Sequence, residues 1–247
     1  MLNNNIGSTL NSVTEKKQGR RTAQEAEQTK KAILKIAAQL FCRFGYKKVS
    51  LRQISEQANV SHSLLRYHFG SKEKIWQHIS DHIYQYFQEY FQYIIDSLPQ
   101  NLPANVQLYM LMNRVLACSL HDSRAIIFLA DAVRQEKSMV NYFLEPNRKN
   151  NQLIDGLIQK FKQDHPDSPL TSRTLRWQAS MYYHTASTLE PLMLHAFESD
   201  NRQSALFAHW QQFNRLLASQ LYISNEYIES PSCLDEIIVP PPKESNG

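Results

Sequence analysis

Apolar residues recur every three or four positions through most of the chain, a period that predicts helix after helix. Ile33, Ile36, Ala37, Leu40, Phe41 and Phe44 share one face of a first helix. Thr22 and Glu25 have capping-box spacing, so this helix is expected to start between Thr22 and Lys31 and to stop at Gly45. Ser50 and Gln53 form a second capping box, opening a short helix with Leu51, Ile54 and Ala58 inward. Asn59 tolerates the left-handed backbone that ends a helix, and Val60 can fill the angle that follows. Ser61 then caps a third helix through about residue 68. Leu65 and Phe69 are its inner side, one turn apart, which leaves His62, Ser63, Arg66 and Tyr67 outward. Two short helices joined by a tight turn make a helix-turn-helix.

Ser71 caps a fourth helix to about residue 97, with Ile75, Ile79, Ile83, Phe87, Tyr90 and Ile94 as its buried stripe. Pro99 and Pro103 end it. Further helices are predicted at about 104–120, 123–137, 146–163, 172–198 and 202–222. Asp122, Thr171 and Asp200 are the candidate N-caps, Pro146 opens a helix, and Pro191 should kink one. Residues 1–21 are polar and read as a disordered arm, and residues 224–247 as a loose tail. The organisation is all-α: a three-helix head over 22–75, then a larger helical body over 76–223.

Composition adds direction. With 42% hydrophobic residues the chain of 247 can bury a large core, and 6 Gly with few alternating runs favour helices over sheets. The apolar runs are too short to span a membrane, the first residues lack a secretory pattern, and Cys42, Cys118 and Cys233 are far apart. A reducing cytoplasm without membrane association is expected. The net charge of +4 is unevenly spread: residues 1–75 hold 14 Lys and Arg against 5 Asp and Glu, residues 76–247 hold 13 against 18. A basic head on an acidic body points to a polyanion as the head's partner.

The stretches ILKIAAQLFCRFGY (33–46), VSLRQISEQANVSHSLLRYHF (49–69) and GSKEKIW (70–76) resemble the TetR family of bacterial transcriptional regulators. Two departures are Asn59, where that family usually has Gly, and Leu64-Leu65-Arg66, where Thr-Leu-Tyr is common. A helix-turn-helix puts the start of its second helix into the DNA major groove. Arg66 is the base-contact candidate, because its fork matches guanine O6 and N7. Ser61, His62, Ser63 and Leu64 share that groove-facing part, and Leu64 can meet a thymine methyl. The resemblance implies that Tyr67, His68 and Lys72 grip the DNA backbone. Lys72 also begins a helix, where an anion is favoured. Lys48, Ser50 and Arg52 are candidates for the opposite phosphate strand.

In the body, Leu206, Trp210, Phe213, Leu217 and Leu221 repeat with a 4-3-4-4 spacing, and Ala179, Ala186 and Ser187 allow close approach. The resemblance implies a four-helix dimer interface built here, which a two-fold operator would require. Met110, Phe128, Phe143, Trp177, Met181 and Tyr182 are candidates to line a cavity for a lipophilic or aromatic effector. His78 and His82, with Asp81 near, have metal-compatible spacing but no evident third ligand, so no metal or other cofactor is expected. No nucleophile motif, carboxylate pair or phosphate loop supports an enzyme. The favoured reading is a homodimeric repressor that binds a palindromic operator and is released by a small effector. A ligand-independent DNA-binding regulator and an all-helical enzyme using the aromatic cavity remain open.

Overall fold

A computed structural model describes residues 15–99, 101–135, 139, 142 and 149–239. Among the described residues ten α-helices are traced, and they divide into two units. The first holds the chain up to Phe44 and Lys48–Ile79; the second holds Gly45–Lys47 and the chain from Ser80 on.

The first unit contains α1 (Glu15–Phe44), α2 (Leu51–Gln57), α3 (His62–Phe69) and the beginning of α4 (Lys72–Ser97). Ile33, Ala37, Phe41, Ile54, Leu65, Phe69 and Ile75 are buried, so each helix turns in the face that the spacing predicts. α2 packs on both α1 and α3. Ser50 Oγ accepts from the Gln53 amide while Gln53 Oε1 accepts from the Ser50 amide, completing the capping box. Asn59 has φ 52°, the left-handed backbone expected of it.

The second unit is wrapped around α5 (Ala104–His121). This helix is apolar on nearly every side, and Leu108, Tyr109, Leu111, Leu116, Ala117 and Leu120 are all buried. Packed on it are α7 (Lys149–Asp164), α8 (Ser172–Thr188) and α10 (Arg202–Gln220). α6 (Arg124–Gln135) lies on α8, and α9 (Glu190–Ala196) bridges α8 and α10. Gly45 has φ +80°, and a Cβ there would meet Asp131 Oδ2 at 3.1 Å. The Tyr46 amide donates to that same oxygen at 2.6 Å, so the turn needs glycine's backbone freedom, and a side chain there would press on the carboxylate that holds the turn.

Several boundaries differ from the expected ones. α1 begins at Glu15, so Thr22 and Glu25 do not cap it and residues 15–21 are helical rather than part of an arm. The first unit reaches Ile79, four residues beyond the expected boundary at 75. Asn201, not Asp200, caps α10, accepting from the Gln203 amide. Instead of one kinked helix over 172–198 there are two, broken at Leu189. Pro191 sits in the first turn of the second, where its missing N–H costs nothing. The expected opening of α7 at Pro146 lies outside the described residues. Of the expected loose tail, residues 224–239 are ordered on the body: they include two 3₁₀ turns, Asn225–Tyr227 and Leu234–Glu236, and bury Leu234 and Ile237, while 240–247 lie outside the described residues.

Candidate nucleic-acid interface

The first unit presents α3 as an open, capped edge. Ser61 Oγ accepts from the Leu64 amide at 3.1 Å and lies 3.0 Å from Ser63 Oγ. Leu65 and Phe69 are buried beneath the helix and fix its roll. That roll leaves His62, Ser63, Leu64, Arg66 and Tyr67 exposed on one short segment. Tyr67 is 84% exposed and Leu64 38%, so an aromatic ring and an aliphatic tip are open on this segment. His68 is half-buried, with its ring edge-on to those of Tyr67 and Phe69. Gly70, at φ 73°, ends the helix, and Ser71 Oγ then accepts from the Lys74 amide to start α4.

The expected phosphate-binding residues divide by their partners. Lys48 is exposed. Arg52 pairs with Glu56 at 2.8 Å, and that hydrogen bond raises its already high pKa. Ser50 and Ser61 spend their hydroxyls on capping α2 and α3, so their first role is to hold the helix ends in place. Lys72 Nζ donates to the Val49 carbonyl oxygen at 2.9 Å, an interaction that sequence spacing gave no sign of. The lysine thus ties α4 to the residue before the α2 cap.

The residues assigned to the dimer interface are elsewhere than expected. Leu206, Trp210, Phe213 and Leu217 are at most 1% exposed within a single chain, and Ala179 and Ala186 are also buried. A side chain with no accessible surface left gains nothing from a partner, so the 4-3-4-4 stripe is the body's own core. Trp210 Nε1 donates inward to the Asn113 carbonyl, and the Phe213 ring meets that of Tyr182 at 4.8 Å.

Nor do the expected effector-lining residues gather into a cavity. Met110 and Tyr182 are half-buried and Phe128 is buried, on three helices of which α8 touches the other two. Trp177 and Met181 instead point outward, 66% and 44% exposed, one turn apart on α8. Phe143 lies outside the described residues. Leu189, Leu192 and Leu216 are further exposed apolar residues in the stretch from α8 to α10.

Residues 33–79 match the family model described as bacterial regulatory proteins, tetR family. Over 54 residues the chain is 39% identical to the HTH-type transcriptional repressor NicS of Pseudomonas putida, a match covering 22% of this chain and 26% of that protein. The chain therefore spans about a quarter of the length of this curated relative. The fatty acid degradation regulator FadR of Bacillus halodurans superposes with a TM-score of 0.59 at 14% identity, covering 76% of this chain and 96% of that one. FadR of Bacillus subtilis, solved in complex with stearoyl-CoA, gives 0.57 at 15%, covering 80% and 97%. At these identities the two solved structures share the fold alone. The matched segment is the one that builds the capped α2, the turn at Asn59 and the exposed α3, and in it the chain is similar to the bacterial regulatory proteins of the tetR family.

Proposed function

We propose that this chain is a homodimeric repressor that binds a palindromic operator through α3 and is released by a small lipophilic effector. The observation that carries the reading is the outward face of α3. Leu65 and Phe69 anchor the helix from below, while a guanidinium, an imidazole, a hydroxyl and an aliphatic tip stand together at its open edge. That mixture suits base edges in a major groove. The positive excess of residues 1–75 supplies the non-specific attraction to phosphate.

The two-fold symmetry that a palindrome needs is best supplied by the exposed apolar residues of the stretch from α8 to α10. Trp177, Met181, Leu189, Leu192 and Leu216 would be costly to leave in water and suit a self-complementary patch. The lipophilic effector is supported by the stearoyl-CoA complex of a protein with the same fold. The test is selection of bound sequences from a random duplex pool. An inverted repeat with half-site centres about one helical turn apart, or a multiple of it, supports the reading. Enrichment of no motif overturns it.

A further inference from the structure

Residues 228–239 cross the body as a strap whose anchors are unusual for a core. Tyr109, Asn113 and Asn214 are buried, in a cluster that is otherwise aliphatic and aromatic. The Tyr109 hydroxyl donates to Asn214 Oδ1 and accepts from the Glu229 amide at 2.9 Å. Asn113 Nδ2 donates to the same Asn214 oxygen, and Asn214 Nδ2 donates to the Glu229 carbonyl. Above them the Glu229 carboxylate meets Arg114 through a single 3.3 Å contact. Beyond that point Leu234 and Ile237 are buried in the core, and the Tyr90 hydroxyl donates to the Val239 carbonyl.

The strap fits this site imperfectly. Glu229 Oε2 and Asn113 Oδ1 are both buried without a hydrogen-bond partner among the described residues. Each such atom loses its water without a compensating hydrogen bond. A guanidinium prefers to bind a carboxylate with two parallel hydrogen bonds, and Arg114 makes one. Burial also pushes the Glu229 carboxyl above the usual range, against the pull of Arg114. Replacing a buried ion pair by apolar packing is often neutral or stabilising, so polar groups held in this state make the position a candidate binding site.

We infer that residues 228–239 are a displaceable internal ligand, and that the site beneath them takes an amphipathic monocarboxylate. The carboxylate replaces that of Glu229 at Arg114, and the acyl chain fills the space of Leu234 and Ile237. One guanidinium with amide and phenol donors balances one negative charge, not the two of a phosphate monoester. This inference names the effector of the proposed repressor and rests on that reading.

The probe is dodecanoate, below its micelle-forming concentration, on the full chain, with dodecanol as the uncharged control. Calorimetry should show one dodecanoate per chain and at least tenfold weaker binding of dodecanol. Amide hydrogen exchange in residues 228–239 should rise on saturation. Arg114→Gln should weaken binding at least tenfold, and Glu229→Gln should tighten it several-fold because the strap competes less well. Absence of heat, unchanged exchange over 228–239, or wild-type affinity in Arg114→Gln each overturns the inference, and the wild-type readouts suffice if a variant fails to fold. Binding of probe-free protein to its selected duplex is measured on the same preparation. Intact duplex binding without dodecanoate binding overturns this inference alone, whereas absent duplex binding counts against the regulator.

Discussion

Lys72 Nζ donates to the Val49 carbonyl oxygen at 2.9 Å, linking two residues 23 positions apart and joining the first turn of α4 to the entry of α2. Val49 is buried, so its carbonyl has limited access to water if the lysine is removed. Lys72→Met should therefore destabilise the reading head by about 1–2 kcal/mol, the range for a hydrogen bond with a charged partner that is partly exposed. Chemical denaturation followed by circular dichroism measures it. DNA binding should fall to a similar degree on operator and random duplex, because the substitution loosens the junction of α4 with the entry of α2 and removes no side chain of α3. A variant of unchanged stability that binds all DNA weakly would make Lys72 a phosphate ligand instead.

Arg66 and Lys48 should separate sequence reading from phosphate binding. Arg66 is exposed on α3 between the buried Leu65 and the outward Tyr67. Its replacement by Ala should cost about 1–3 kcal/mol on the selected operator and flatten preference at one base pair per half-site. Lys48, exposed before the α2 cap, should act on phosphate. Lys48→Ala should weaken every duplex alike and reduce the salt slope by about one unit per subunit. Titration of both variants across a salt series checks the assignment, and a reversal of the two behaviours would turn α3 the other way in the groove.

The reading head was legible because its signals are local. A hydroxyl three residues from a glutamine, or an asparagine after a short apolar face, states a backbone geometry without help from distant residues, and both sites behave accordingly. The body was legible as helices but not as surfaces. Leu206, Trp210, Phe213 and Leu217 have the spacing of a stripe, and a stripe buried under α5 and α8 reads the same as one buried under a second chain. Trp177 and Met181 looked like pocket lining for the same reason: aromatic content carries no sign of inward or outward. The strap is masked by its proline-rich end, although Leu234, Ile237, Ile238 and Val239 stand just before it. The Lys72–Val49 and Tyr109–Glu229 hydrogen bonds join residues far apart in sequence, and no periodicity encodes them.

His209 should make the body acid-sensitive. Its ring is buried on α10, and Nε2–H donates to the Tyr182 carbonyl at 2.8 Å. Burial lowers its pKa below 6.5, the hydrogen bond to Tyr182 opposing this only in part. The unfolded chain then takes up a proton before the folded one does, so stability is complete above about pH 6.5 and is lost as the pH falls below it. The melting temperature should drop on going from pH 7.5 to about 5.5, and by less in His209→Gln, whose amide can still donate to Tyr182. Parallel melting curves for the two proteins across that range would remove His209 as the cause.

Two tryptophans, Trp210 and Trp177, distinguish core from interface. Trp210 is fully buried and hydrogen-bonded to the Asn113 carbonyl. Trp210→Ala should cost about 3–5 kcal/mol and lower the melting temperature of any species present, through the cavity it leaves. Trp177 is 66% exposed in the single chain, with Met181 one turn beyond it. Trp177→Glu should leave the fold of the chain intact, because its surroundings already include water. In a dimer built on α8 to α10 the same charge would be desolvated without a partner, at a cost that separates the subunits. Light scattering should then report a folded monomer with weakened operator binding. A Trp177→Glu protein that is folded, dimeric and fully active on the operator would move the interface away from this face, and the α8 tryptophan would have to be explained by another partner.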